Sequence, residues 1–117
     1  MAETLRVASV NVNGIRAAFR KGMGDWLDAR DVDVLAMQEV RADDTHLEQL
    51  LGEGWHLLHD PCDIKGRAGV AIASRIPATG HRKRLGADAA QKTIQSSGRW
   101  LEADFDLGGT PVTVVST

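Results

Sequence analysis

Asn11 and Glu39 are the two side chains whose types and placement suit chemistry best. Each closes an apolar run: Val7-Ala8-Ser9-Val10-Asn11 and Val34-Leu35-Ala36-Met37-Gln38-Glu39. If these runs are neighbouring parallel strands, both residues stand at one carboxyl edge, where open α/β sheets hold their ligands. An amide oxygen and a carboxylate are hard donors, suited to Mg²⁺ or Mn²⁺ rather than to zinc. Period-two alternation turns Gln38 to the opposite face. A second assignment stays open: Asn11 caps a turn and Glu39 opens a polar loop.

Two Gly-flanked basic loops, Lys65-Gly66-Arg67-Ala68-Gly69 and Ser96-Ser97-Gly98-Arg99, precede strand-like segments. Their backbone N–H groups and guanidinium groups suit phosphate; ordinary hairpin turns would read the same way. His59 and Cys62 form an H-x-x-C half-site. Zinc takes three or four ligands, and the remaining histidines, His46, His56 and His81, supply no second pair. Those residues read as surface histidines and a small apolar thiol. There is no P-loop, no G-x-G-x-x-G and no G-x-S-x-G elbow.

The elements that must position these residues follow from pattern. Leu5 to Val10 predicts a strand that stops at Asn11-Val12-Asn13-Gly14, a loop signal. Gly22 and Gly24 weaken a helix, so an irregular arm is expected over 14–21 and a helix from Met23 to Ala29. Val32 to Gln38 has the apolar continuity of a buried parallel strand, and strand–helix–strand order implies a right-handed crossover. Asp43 or Asp44 caps a short helix reaching Leu51, with Leu47, Leu50 and Leu51 on its apolar side. Trp55 to His59, Gly69 to Ser74, Trp100 to Phe105 and Val112 to Ser116 predict strands, and 87–97 a loop or helical turn. Leu107-Gly108-Gly109-Thr110 is a tight hairpin turn. The fold class is α/β, helix-rich early and strand-rich late.

Length and composition agree with one domain. The chain has 117 residues, 43% apolar and 26% charged, which argues against disorder. No apolar run approaches the roughly 18 residues of a membrane span, and the first residues do not make a secretory signal. Cys62 alone forms no intrachain disulfide, which fits a reducing cytoplasm. The formal charge of −2 hides an asymmetry. Residues 1–60 carry 6 bases and 11 acids, whereas 61–117 carry 8 bases and 5 acids, all 8 between Lys65 and Arg99. That stretch suits a local positive face; a solvated loop surface is the alternative. The last strand, with Val112, Val114 and Val115, ends the chain uncapped, an edge hazard that reads as a fragment; a terminal strand packed centrally would have the same sequence pattern.

Four blocks in one order resemble the exodeoxyribonuclease III and abasic-site endonuclease family of the exonuclease–endonuclease–phosphatase superfamily. They are Ser9-Val10-Asn11-Val12-Asn13-Gly14-Ile15-Arg16, Met37-Gln38-Glu39-Val40-Arg41, Lys65-Gly66-Arg67-Ala68-Gly69-Val70-Ala71 and Ser97-Gly98-Arg99-Trp100. The resemblance implies a four-layer α/β sandwich, two mixed sheets flanked by helices, of which this chain supplies one sheet and part of the packing. It implies Asn11 and Glu39 at a divalent-metal site, Glu39 acting through the metal, with Mg²⁺ as cofactor and Mn²⁺ an alternative. Asn13, Arg16, Arg41, Lys65, Gly66, Arg67 and Arg99 fall where relatives meet DNA. Relatives are more than twice as long, and their catalytic tyrosine, Asp-x-Asn pair and closing Asp-His pair lie in the later portion. This chain has no Tyr.

The resemblance thus implies residues 1–117 as the N-terminal part of a single domain, inactive alone. The complete enzyme would be a cytoplasmic, monomeric DNA-repair hydrolase with exonuclease and abasic-site endonuclease activity. Its partner would be double-stranded DNA with abasic sites or 3′-blocked ends. Two other readings are a lipid or inositol phosphatase of the same superfamily and a non-catalytic DNA-binding domain. The Asn13-Gly14-Ile15-Arg16 arm favours the DNA branch over the former.

Overall fold

The structure, a computed structural model, describes residues 4–62, 66–83 and 98–117. Its elements run β1 (Val7–Asn11), α1 (Ile15–Arg20), α2 (Met23–Arg30), β2 (Val34–Gln38), α3 (Asp44–Leu51), β3 (His56–Asp60), β4 (Val70–Ser74), β5 (Gly80–Arg82), β6 (Leu101–Leu107) and β7 (Thr110–Ser116). A four-stranded mixed sheet has the order β1-β2-β4-β3, and a three-stranded antiparallel sheet the order β5-β6-β7. The chain therefore builds strands in two sheets, where one was expected.

Alternation assigns each face. Leu35 and Met37 of β2 and Ala71 and Ala73 of β4 face the helices, joined by Ile15, Leu27, Val40 and Leu47. Val34, Ala36, Val70 and Ile72 face the second sheet and meet Leu101, Ala103, Phe105 and Val114. A central β2 buried on both sides explains its unbroken apolar run. Each fully buried large side chain in these layers contributes about 1.5–3 kcal/mol of burial.

β1 and β2 pair in parallel, with Val7 opposite Val34 and Asn11 opposite Gln38, as the two apolar runs predicted. The 107–110 turn closes the β6–β7 hairpin, with Gly108 and Gly109 both at positive φ, 59° and 91°. Asp43 is the α3 N-cap, its carboxylate accepting from the His46 N–H.

Two elements depart from expectation. Residues 15–20 form a helix rather than an irregular arm: Gly22, at φ 104°, separates two helices instead of weakening one. Buried Ile15 anchors the first of them. The short strand β5 carries no apolar pattern and exists through its pairing with β6 and through Arg82, which bonds Glu102 and Asp104. The expected loop or turn at 87–97 lies outside the described residues. No described helix is long and apolar enough to cross a membrane.

Candidate functional site

β1 and β2 end at the same edge, where Asn11, the last residue of β1, meets Glu39, the first residue past β2. Asn11 Nδ2 donates to Glu39 Oε2 at 2.5 Å. Asn11 Oδ1 in turn accepts from the Asn13 N–H at 3.0 Å, which fixes the orientation of the amide. Arg41 Nη2 donates to Glu39 Oε1 at 2.8 Å. One carboxylate is thus gripped from both sides while its side chain stays 40% exposed.

The backbone that presents it is strained. Among the described residues, four of the five non-glycine residues with left-handed φ lie here: Asn13 (47°), Glu39 (52°), Arg41 (55°) and Ala68 (43°). Such conformations cost roughly 1–3 kcal/mol each and persist only where surrounding contacts enforce them. The enforcing contacts are main-chain hydrogen bonds. Gly14 N donates to Glu39 O at 2.8 Å, Ile15 N to Val40 O at 3.0 Å, Val40 N to Gly69 O at 3.0 Å and Arg41 N to Ala68 O at 2.9 Å. Gly69 N completes the weave by donating to Gly98 O at 3.0 Å. Gly98 is required there: a Cβ on it would stand 2.6 Å from Cys62 N and 2.9 Å from Gly69 N.

The left-handed turn at Glu39 also corrects the placement of Gln38. In a parallel pair, opposed residues share a face, so Gln38 sits beside Asn11 and Ser9. Its Nε2 donates to Ser9 Oγ at 3.2 Å and to Ser116 Oγ of β7 at 3.1 Å. Alternation would send Glu39 to the other side; its φ of 52° brings the carboxylate back to that same face. Sequence alternation misses this because it presumes extended backbone through residue 39.

Asn11, Gln38 and Glu39 therefore line one cavity of about 300 Å³ with Ala68, Val70, Gly98, Arg99 and Thr117. Arg99 is exposed at its wall. Asn13 borders a separate hollow on the β1–α2 side. Arg16 is exposed on α1, and Gly66 and Arg67 are exposed in the loop before β4. Lys65 lies outside the described residues. Among the described bases of the 65–99 stretch, two are engaged locally: Arg75 stacks on Trp55 at 3.7 Å, and Arg82 pairs with Asp104 and Glu102.

The donor set fits a hard divalent cation. The Glu39 carboxylate offers hard oxygen ligands at a solvent-reached cavity; Asn11, whose Nδ2 faces that carboxylate and whose Oδ1 takes the Asn13 N–H, would add its amide oxygen on turning over. No three His, Cys, Asp or Glu side chains converge among the described residues, so these two would furnish part of an ion's shell. His59 and Cys62 accordingly make no zinc site among the described residues.

Solved structures share this arrangement of strands and helices. An AP endonuclease from Archaeoglobus fulgidus is 28% identical, with a TM-score of 0.64 over 94% of this chain and 40% of its own. The fold is also that of AP endonuclease LMAP from Leishmania major, at 19% identity and TM-score 0.69 over 97% of this chain and 39% of that one. A 3′ phosphatase, NExo from Neisseria, bound to a product DNA hairpin, aligns at 23% identity and TM-score 0.68, covering 94% and 40%. The chain spans about 40% of the length of these three proteins. The model of the Endonuclease/Exonuclease/phosphatase family matches residues 8–113, nearly the entire sequence, and to that family the chain belongs.

Proposed function

We propose that the chain contributes the first half of the active site of a Mg²⁺-dependent DNA phosphodiesterase of base excision repair. Mn²⁺ would substitute for Mg²⁺. The activities are 3′–5′ exonucleolytic trimming and cleavage beside abasic sites, in a cytoplasmic monomer acting on double-stranded DNA with abasic sites or blocked 3′ ends. In this reading residues 1–117 are the N-terminal part of one domain and do not turn over substrate alone. The observation that carries the proposal is the Glu39 carboxylate held between Asn11 and Arg41 at a cavity walled by Gly98 and Arg99. The kinship with the AP endonuclease from Archaeoglobus fulgidus supports DNA as the substrate class.

Each side chain has a definable task. Glu39 and Asn11 would hold the cation, which would supply charge neutralisation for the phosphoryl oxygens and the leaving oxyanion. The Asn13 N–H holds the Asn11 amide with its Nδ2 on the Glu39 carboxylate, and turning that amide over would bring its oxygen to the cation. Arg41 offsets the Glu39 charge and stands ready for a phosphate, while exposed Arg16, Arg67 and Arg99, with Gly66 and Lys65 of the loop, follow the DNA backbone. Such contacts give affinity and position rather than sequence choice. Deformability at the lesion supplies selectivity.

Glu39→Gln in the complete enzyme tests the reading. It removes one negative charge from the cation site and should abolish Mg²⁺-dependent nicking of an abasic duplex. Full nicking by that variant would refute the role of Glu39. EDTA-sensitive nicking by the 117-residue chain alone would refute the half-site reading.

A further inference from the structure

Behind the strained turns lies a buried histidine that the reading above does not use. His59, on β3, has a side chain only 3% exposed. Its Nδ1 bonds Asp44 Oδ1 at 2.5 Å, from the first turn of α3. Its Nε2 is the buried side-chain polar atom without a partner among the described residues. That atom lies 3.7 Å from where a Cβ on Gly69 would stand, a point also 3.5 Å from Val40 Cβ and 3.6 Å from Arg41 N. Gly69 and Ala68 are the residues whose carbonyls accept from Val40 and Arg41.

We propose that His59, tethered by Asp44, is a positioning residue for the Glu39–Arg41 turn. The proposal rests on the cation-site reading. The ring packs against Gly69, Gly69 and Ala68 bond the backbone of Val40 and Arg41, and that backbone places the Glu39 carboxylate and the Arg41 guanidinium. The Asp44 bond selects the ring orientation, just as an acceptor on the second nitrogen orients histidines beside metal ions. A buried imidazole nitrogen with no partner among the described residues is unfavourable, so the pose of the ring is set by the Asp44 bond and by its packing beside Gly69 and Val40. Asp44 itself is 70% exposed, so it can be changed without opening the core.

The test uses Mn²⁺ as the probe, with NMR line broadening at the Asn11 side-chain amide and at the Glu39 and Arg41 backbone amides. His59→Ala and Asp44→Ala should both shift the Glu39 and Arg41 amides. Both should also weaken Mn²⁺ binding by about 10-fold, the low end for outer-shell partners of metal ligands. His59→Asn, which keeps a donor to Asp44, should recover part of the loss. If both alanine variants lower the melting temperature yet leave the Glu39 and Arg41 amides and Mn²⁺ affinity unchanged, His59 is merely structural and the proposal fails. If wild type shows no Mn²⁺ broadening while the alanine variants still move those amides, the cation reading fails and the positioning role stands. Asp44→Ala remains informative should His59→Ala unfold.

Discussion

Gln38 and Ser116 join the two sheets through one hydrogen bond: Gln38 Nε2 donates to Ser116 Oγ at 3.1 Å, and Ser116 Oγ donates onward to the Met37 carbonyl at 2.7 Å. Ser116 is fully buried, 78 residues along the chain from Gln38. The bond crosses the interface between β2 and β7 beside the cavity that holds Glu39. Replacing Ser116 by Ala strips a donor from a buried carbonyl and an acceptor from Gln38. The expected loss is about 1–3 kcal/mol, the range for a buried polar group left unsatisfied. Denaturant titration of Ser116→Ala against wild type measures it. A Gln38→Ala change should cost less, since the Ser116–Met37 bond survives.

Gly98 should tolerate no side chain. A Cβ there would press on main-chain atoms of Cys62 and Gly69 at 2.6–2.9 Å, and its φ of 64° is left-handed. Neither neighbour is the end of a flexible side chain, so the loop weave must shift. Gly98→Ala is expected to destabilise by about 1–3 kcal/mol, as overpacking does. It should also displace the Gly69 amide resonance. An unaltered Gly69 shift would contradict the contact.

Ala68 makes the opposite case. Its φ of 43° is strained for a residue with a Cβ, which here stands at the cavity wall. Ala68→Gly should raise stability by roughly 1 kcal/mol, the cost of a left-handed L-residue. A drop in the melting temperature would show that Cβ packing at the cavity outweighs the backbone term.

The Arg82–Asp104 pair sets a pH dependence. Arg82 Nη1 and Nη2 donate to both Asp104 oxygens at 2.8 Å, and Thr113 Oγ1 donates to Oδ1. First the guanidinium and then the hydroxyl hold the Asp104 carboxyl down to about 2. Glu102 is lowered too, by the Trp100 indole first and Arg82 second. With the folded value below the unfolded one, the contribution is present above the unfolded carboxylate range and fades as pH falls through the folded value. Asp104→Asn should therefore be less stable than wild type near neutrality, with the gap closing between about pH 4 and pH 2. A gap independent of pH would point to packing instead.

Much of this was readable from residue order, and the failures have causes. The β1 and β2 runs, the 107–110 turn and the Asp43 cap come from local patterns that tertiary context left intact. The nearness of Asn11 and Glu39 follows from two strands ending level. α1 and β5 were not readable. Gly22 looks alike whether it weakens a helix or divides two, and Gly80-His81-Arg82 becomes a strand only through its partner β6. The His59–Asp44 pair joins residues 15 apart whose meeting depends on how α3 lies over the sheet. The face of Gln38 was misread because one left-handed residue resets the alternation.

The level register of Asn11 and Gln38 has an evolutionary corollary. β2 is clamped between a parallel neighbour and an antiparallel one, Val34 opposite both Val7 and Ser74. Losing or gaining a single codon inside it would exchange the residues on its two sides. Leu35 and Met37 would trade places with Val34 and Ala36, and Gln38 would be driven beneath the helices. Descendants of this gene can vary the letters of that segment far more freely than its length.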